Sequence, residues 1–446
     1  MSVLIENVWI QLQHPNTQWV LAGTLLLGIA SGVLGSFVLL RKQSLIGDAM
    51  AHSALPGVCI AFLLTGQKSL LFFLVGAAVF GLLGTWCIQQ ITGHSKIKED
   101  SAIGIVLSVF FGVGIMLLTY IQQLGSGNQS GLDSFLFGQA ASLVRQDIVI
   151  IAVISAVLLL VCAVFFKEFK IITFDMAFAK GLGMPVQFLN GLLVLLIVCA
   201  VVIGLQTVGV IMMAAMLITP AVAARYWTEN LTAMAVIAGL IGGISGASGT
   251  LLSTTMNGMA TGPLIILTAT CVFLLSLLFA PRRGLAAKAV RLLKLRRKTG
   301  YEQVLLTIYE LNEKTKEADI TEGIVRKKRP IGSALCKRSL RMLEKEGYIL
   351  RSEHDTWKVT RSWKVTRSGL EKGYRLALAY RMYEIYLMHE MELSSVDAGG
   401  IDDFKPDRLS DEMKERLVSL LKLHGRMPAL RPHHREIEKG QMINEL

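Results

Sequence analysis

The residues best suited to chemistry in this sequence are Asp48 and His52, which lie in an otherwise apolar stretch beginning near Leu45. Residues four apart on a helix share one face, so this carboxylate and imidazole can converge on one ion. Such oxygen and nitrogen donors suit Mn²⁺, Fe²⁺ or Zn²⁺ better than Ca²⁺ or a soft copper ion. The alternative is that Asp48 caps the helix or hydrogen-bonds His52, with no ion bound. The Pro56-Gly57 step is expected to interrupt this helix, because proline removes a backbone donor.

A second candidate segment covers residues 169–184, which combine bulky apolar residues with one acid, Asp175. A short helix here, ending at a glycine, could seat its apolar side in a groove of another subunit. The alternative is a plain helix that lies at a lipid interface.

The elements that must position these residues follow from an abrupt change in composition. The chain has 446 residues, 52% of them apolar, and a formal net charge of +12. Residues 1–281 contain ten Lys and Arg against nine Asp and Glu, whereas residues 282–446 contain 35 against 24. This contrast predicts a membrane half followed by a water-soluble, basic half.

Nine stretches in the first half approach the ~20 apolar residues that a membrane-spanning helix needs. They are 19–40, 45–65, 69–91, 102–121, 148–166, 186–203, 208–224, 231–252 and 262–280. The sixth and seventh are short and nearly adjacent, so eight and nine spans both fit the sequence. With nine spans and the N-terminus outside, most Lys and Arg residues of the loops face the cytosol, and so does the basic half.

The basic half is predicted to be a cytosolic α+β domain of the winged helix-turn-helix kind. Three helical patterns are followed by alternating, strand-like segments. The third helix exposes Lys337, Arg338 and Arg341, which could contact the phosphates of nucleic acid. The alternative is a solvated basic surface on a domain used for dimerisation or regulation. The linker before this domain is basic and leucine-rich, and its positive face is expected to attract anionic membrane lipid.

The segment from Asp48 to Gly57, Asp-Ala-Met-Ala-His-Ser-Ala-Leu-Pro-Gly, resembles the signature of the metal-ion permeases of ABC importers, the manganese/zinc/iron chelate class. The likeness extends over most of residues 15–285. It implies an all-α polytopic bundle of eight or nine transmembrane helices in a bacterial plasma membrane. In that family the residues matching Asp48 and His52 are thought to contact the passing metal. The resemblance therefore implies no permanently bound cofactor but a transported ion, Mn²⁺ or else Zn²⁺ or Fe²⁺.

The same resemblance extends to Asp175, Ala177 and Gly181, whose Asp-x-Ala-x-x-x-Gly pattern is similar to the coupling helix by which such permeases dock on their ATPase. No GxxxxGK[ST] phosphate loop occurs in the sequence. The chain is therefore expected to be a transporter subunit and not an enzyme, with ATP hydrolysed by a separate ATPase subunit. The implied partners also include an extracellular metal-binding lipoprotein and a second permease subunit, identical or sister.

From Tyr301 to about Pro432 the sequence resembles the diphtheria toxin repressor family of metal-responsive regulators. The implied organisation is a permease domain, a basic linker, a winged-helix domain, a helical dimerisation-like region and a tail, at 1–285, 286–300, 301–375, 376–432 and 433–446. Glu384 matches a metal-ligand position of that family, but Tyr380 stands where a histidine is expected. Pro406-Asp407 likewise stands where a Glu-His pair is expected. Metal sensing at the regulators' own sites is therefore not predicted.

Two functional hypotheses follow. The first is a permease subunit of an ABC importer for a divalent transition metal, with manganese favoured over zinc and iron. Manganese is favoured because the first half lacks a His-rich loop and the tail resembles a family that includes manganese-responsive regulators. The second is a membrane-tethered, metal-responsive DNA-binding regulator, although nine spans exceed what an anchor requires.

Overall fold

The chain divides into two compact units, Met1–Lys288 and Ala289–Leu446. This division lies close to the predicted break in composition after residue 281. The predicted boundaries within the basic half stay predictions. The computed structural model describes residues 13, 15–66, 70–123, 138, 144–255, 259–315, 320–352, 362–389 and 409–430.

The first unit is a bundle of apolar helices. Its helices are α1 (Pro15–Leu40), α2 (Ile46–Thr65), α3 (Leu70–His94), α4 (Glu99–Gln123), α5 (Arg145–Val164), α6 (Phe166–Phe174), α7 (Met176–Gly181), α8 (Val186–Thr207), α9 (Val210–Trp227), α10 (Leu231–Thr255) and α11 (Thr261–Phe279). Eight helices of the described part, all of these except α6, α7 and α9, are long and apolar enough to cross a membrane. Helix α9 has 18 residues, about 27 Å at 1.5 Å per residue, slightly less than the ~30 Å hydrocarbon core of a bilayer. The predicted all-α membrane bundle is therefore confirmed, with eight candidate spans.

Small residues bring α1 and α10 into backbone contact. A Cβ atom added at Gly28 would lie 2.3 Å from the carbonyl oxygen of Gly242, and one added at Gly32 would lie 2.2 Å from that of Ala238. Neither position leaves room for a side chain. Membrane helices use small residues in this way, because close approach increases their van der Waals contact.

Helix α2 is held between α3 and α4 and runs without a break through Pro56. The predicted interruption at Pro56-Gly57 is therefore wrong. A proline removes one hydrogen bond, but packing by neighbouring helices lets membrane helices tolerate it. Gly57 supplies that packing, since an added Cβ would lie 2.1 Å from the carbonyl oxygen of Gly76 in α3.

The second unit has helical and strand elements around its own core. They are α12 (Leu285–Thr315), which contains the division between the units, β1 (Ile320–Thr321), α13 (Glu322–Lys328), α14 (Ser333–Lys345), β2 (Ile349–Ser352), β3 (Ser362–Val365), α15 (Arg367–Met388) and α16 (Asp411–Leu423). The described strands form an antiparallel sheet in the order β1-β3-β2, in which Arg351 pairs with Trp363. The predicted α+β character is confirmed, whereas the assignment as a winged helix stays a prediction.

Helices α15 and α16 pack through a separate apolar cluster of Met382, Ile385, Tyr386, Leu417 and Leu421, all buried. Their orientation is thus set by side-chain packing.

An ion pair attaches α15 to α12. The carboxylate of Glu313 accepts hydrogen bonds from both terminal nitrogens of Arg381, at 3.3 and 2.5 Å, and from the backbone N–H of Ala429 at 2.6 Å. Both side chains are less than a quarter exposed.

Candidate metal site

Asp48 and His52 lie one helical turn apart in the first half of α2, as their spacing predicts. The nearest atoms are His52 Nε2 and Asp48 Oδ1, 3.4 Å apart, and the two side chains are 13% and 34% exposed. This separation is longer than the 2.7–3.2 Å typical of an N–H···O hydrogen bond. It matches the spacing of two ligands that bind one ion through bonds of about 2.1 Å at a near-tetrahedral angle. The pair can therefore bracket a small divalent cation.

The other ring nitrogen of His52 has no hydrogen-bond partner among the residues that the structure describes. Nδ1 is buried and unpaired, and the ring lies edge-on to Phe111 with centroids 4.6 Å apart. A buried polar atom without a partner typically costs about 1–3 kcal/mol. Such an atom is unusual in a purely structural role and is more common where a side chain must exchange partners.

Asp48 lies at the third residue of α2, close to the helix N-terminus, where the helix dipole favours a negative charge. No side-chain hydrogen bond caps this end at Leu45. The structure thus does not place Asp48 as the cap, one of the two non-metal alternatives. Among the described residues no group of three or more His, Cys, Asp and Glu side chains converges. Water or backbone oxygens would have to complete the coordination of an ion held by this pair.

The segment with Asp175 forms α6 and α7 and has two distinct faces. Phe169, Ile172 and Ala179 are buried against the bundle. The large apolar side chains on the other face are more than 45% exposed, and they are Phe174, Met176, Phe178 and Leu182.

Asp175 caps α7, because its Oδ1 accepts a hydrogen bond of 2.8 Å from the backbone N–H of Phe178. Ala177 is exposed, and nothing lies within 4 Å of a Cβ added at Gly181. All three predicted coupling residues therefore belong to one short, accessible element, whose exposed face is apolar.

Arg41 is a residue that sequence reasoning missed as part of this arrangement. It follows α1 directly and donates to Thr173 Oγ1 of α6 at 3.4 Å and to Asn190 Oδ1 of α8 at 2.5 Å. Arg41 thus connects the turn that leads into α2, and to Asp48, with the segment that ends at α7. The only signal in the sequence is that Arg41 is a cation flanking the first span, which indicates orientation and not these contacts.

The three predicted phosphate-contacting residues lie on the exposed side of α14. Lys337 is 3.9 Å from Glu322 and is 58% exposed, and Arg338 and Arg341 are also exposed. They share one face of the helix, as their spacing predicts.

The position that matches a regulator's metal ligand is occupied by an ion pair. Glu384 accepts a hydrogen bond of 3.0 Å from Arg426, so a guanidinium lies where a metal would have to bind. Pro406 and Asp407 lie outside the described residues. Whether metal sensing is lost at this site stays a prediction.

Comparisons with known proteins agree with the membrane bundle. The profile of the ABC 3 transport family matches residues 13–280. The manganese transport system membrane protein MntC of Bacillus subtilis (strain 168) is 70% identical over 442 residues, covering 99% of this chain and 100% of that protein. The zinc transport system membrane protein TroC of Treponema pallidum (strain Nichols) is 46% identical over 267 residues, covering 60% of this chain and 90% of TroC. The solved structure of PsaBC from Streptococcus pneumoniae in complex with Fab superposes with a TM-score of 0.57 at 37% identity, covering 63% of this chain and 97% of that chain.

Proposed function

Because the chain belongs to the ABC 3 transport family, we propose that it is the permease subunit of an ATP-driven manganese importer. The observation that carries this proposal is the 70% identity to a protein named for manganese transport, over nearly the whole chain. The likeness therefore includes the second unit, which the family profile does not cover. Zinc is the second candidate cargo, supported by the 46% identity to TroC, and iron remains an alternative on donor chemistry alone.

Asp48 and His52 are proposed to contact the ion during its passage. Their 3.4 Å separation allows one carboxylate oxygen and one imidazole nitrogen to replace two waters of a hydrated cation. The oxygen donor suits Mn²⁺, and the imidazole adds affinity that Mg²⁺ and Ca²⁺ would not gain. Among the described residues no third His, Cys, Asp or Glu side chain joins this pair, which favours weak binding and release.

The exposed apolar face of α7 is proposed to dock on a separate ATPase subunit. Apolar side chains more than 45% exposed beside an N-capped helix suit insertion into a groove of a protein partner. The complete importer would contain two ATPases, an extracellular metal-binding lipoprotein and a second permease subunit, either a second copy or a sister chain. With α9 counted as a ninth span, the N-terminus would face outward and the second unit the cytosol, because this orientation places most cationic loops inside.

Uptake of radioactive manganese tests the cargo and the site together. Cells in which this chain is the sole permease of its system should lose saturable Mn²⁺ uptake when Asp48→Ala or His52→Ala is introduced, with normal amounts of protein in the membrane. His94→Ala is the matched control, because His94 is an exposed histidine at the end of α3. Wild-type uptake in both site variants would refute the site.

Competition with unlabelled Zn²⁺ and Fe²⁺ decides between the cargoes. For a manganese importer, unlabelled Mn²⁺ should compete at the lowest concentration. If Zn²⁺ competes at a lower concentration and is itself taken up, the zinc alternative replaces manganese.

A regulatory function for the second unit is supported by the exposed cations of α14. If this face binds DNA, replacing Lys337, Arg338 and Arg341 with alanine should weaken binding and reduce its dependence on salt, because fewer counterions are released. Unchanged binding by the triple variant would exclude the hypothesis. Removal of residues 300–446 should leave some uptake if the unit regulates transport.

A further inference from the structure

Two histidines meet at the C-terminal ends of α15 and α16. His389 follows the last residue of α15, and His424 follows the last residue of α16. Their ring centroids are 5.5 Å apart, with ring planes at 77°. The apolar cluster between the two helices is buried, so packing holds the imidazoles near each other.

The same kind of hydrogen bond, to the carbonyl oxygen four residues earlier, orients each ring. His389 Nδ1 lies 3.2 Å from the carbonyl oxygen of Ile385, and His424 Nδ1 lies 2.9 Å from that of Leu420. A carbonyl oxygen only accepts, so both Nδ1 atoms must carry the proton. The neutral rings then have their lone pairs on Nε2. Histidines that bind metals are commonly oriented in this way, with the second nitrogen donating to a backbone carbonyl.

The separation of the rings fits one bridging ion. With metal–nitrogen bonds of about 2.0–2.1 Å and ring centres about 1.2 Å beyond, two imidazoles at a near-tetrahedral angle have centroids about 5 Å apart. The observed distance is 5.5 Å. Access is open, because His424 is exposed and His389 is half-buried.

From this geometry we propose that His389 and His424 form a binding site for a late divalent transition metal of the Zn²⁺, Ni²⁺ and Cu²⁺ class. Two imidazoles without a carboxylate favour these ions over Mn²⁺, which lies lowest in the affinity order of such donors. No group of three or more ligating side chains occurs in the described chain, so water completes the coordination. The site is separate from Asp48 and His52, and it uses neither Glu384 nor Tyr380.

An ion at this pair adds a link between the ends of two helices that apolar packing and the ion pair of Glu384 with Arg426 already join. It binds the folded unit in preference to the unfolded one, so it stabilises the arrangement of α15 and α16 by mass action. The second unit would thereby respond to zinc-class metals and remain indifferent to Mn²⁺.

Electron paramagnetic resonance of bound Cu²⁺ tests the site in the full-length protein in detergent. Asp48→Ala and His52→Ala are introduced together, so that the membrane pair contributes no signal. One equivalent of Cu²⁺ should then give hyperfine coupling to two imidazole nitrogens. Excess Zn²⁺ should displace the ion, and a similar excess of Mn²⁺ should not.

His389→Gln and His424→Gln should each abolish the two-nitrogen signal. His424 is exposed, so its variant keeps the fold and decides the outcome if the His389 variant unfolds. His94→Gln is the matched control, since His94 Nδ1 makes the same bond to a carbonyl, that of Gln90 at 3.2 Å, and no described histidine makes a ring contact with it.

A second control removes His433 and His434, which lie outside the described residues. The signal should survive His94→Gln and the double His433→Gln, His434→Gln variant. An unchanged signal in His424→Gln, or its loss in the double variant alone, overturns the assignment.

Discussion

Replacing Gly57 with alanine is expected to separate α2 from α3 and so disturb the helix that carries Asp48 and His52. The added Cβ atom would lie 2.1 Å from the carbonyl oxygen of Gly76, whereas ordinary contact begins at 3.4 Å. The two backbones must therefore move apart by about 1.3 Å. That oxygen belongs to a helix backbone and cannot rotate away as a flexible side chain could.

The expected change in stability of Gly57→Ala follows from two opposing effects. Overpacking of a well-packed core typically costs about 1–3 kcal/mol, and alanine favours helix formation over glycine by about 1 kcal/mol. We expect a net loss of stability of about 1–2 kcal/mol. Gly57 is five residues from His52, and a misplacement of about 1 Å in groups that act together can lower a rate about 100-fold. Mn²⁺ uptake should accordingly fall about tenfold or more, the displacement being partly absorbed along the helix.

Gly112→Ala in α4 is the matched control, because nothing in the described structure lies within 4 Å of a Cβ added there. This variant should be as stable as the wild type or slightly more so. Uptake is measured in cells that contain equal amounts of each variant, and stability by thermal unfolding of the purified protein. If Gly57→Ala transports and melts like Gly112→Ala, the inferred backbone contact is not present in the working protein.

Three further changes test other parts of the molecule. Asp175→Arg removes the cap of α7 and places a cation beside its apolar face, so ATP-dependent Mn²⁺ uptake should fall while the chain still reaches the membrane; unchanged uptake would exclude α7 as the coupling element. Arg41→Met removes the bonds to α6 and α8, and we expect ATP hydrolysis in proteoliposomes that is no longer matched by transport; matched rates would contradict this role. Glu313→Gln breaks a largely buried ion pair and should destabilise the second unit by about 3 kcal/mol. Burial raises the pKa of Glu313, but hydrogen bonds from Arg381 and Ala429 and nearby positive charge lower it further, so the net pKa lies below its ordinary value. A carboxylate with a lowered pKa stabilises the fold above about pH 4.3, its unfolded value, and this contribution disappears as the pH falls further. Thermal unfolding should therefore show a steeper loss below about pH 4.3 in the wild type than in Glu313→Gln, and parallel curves would exclude the ion pair as the cause.

Much of the bundle could be predicted, because membrane spans are set by length and hydropathy alone. Each apolar stretch named from the sequence overlaps a long helix of the bundle, including α9, whose 18 residues leave the count of spans at eight or nine. The break expected at Pro56 failed for a physical reason. The local sequence shows the missing backbone donor. It does not show the contact of Gly57 with Gly76 on another helix, which packs α2 directly after the proline.

The pairing of Asp48 with His52 was predictable from spacing, because four residues on a helix always share a face. The contacts of Arg41 could not be predicted from the sequence, because its partners Thr173 and Asn190 are more than 130 residues away in the chain. The same limit hid the ion pair of Glu384 with Arg426, which joins α15 to the end of α16.

These long-range contacts suggest how the Asp48–His52 pair and the segment that forms α6 and α7 could communicate. Arg41 lies seven residues before Asp48 and donates to α6, whose last residue precedes the capping Asp175. A displacement of α7 by a docked partner would therefore reach the turn before α2 through Arg41, which also bonds to α8. The 3.4 Å gap between Asp48 and His52 is wide for a hydrogen bond and suited to an ion, so small movements of the α2 N-terminus would change the fit directly. The residue that no sequence pattern singled out is thus the one that joins the two predicted elements.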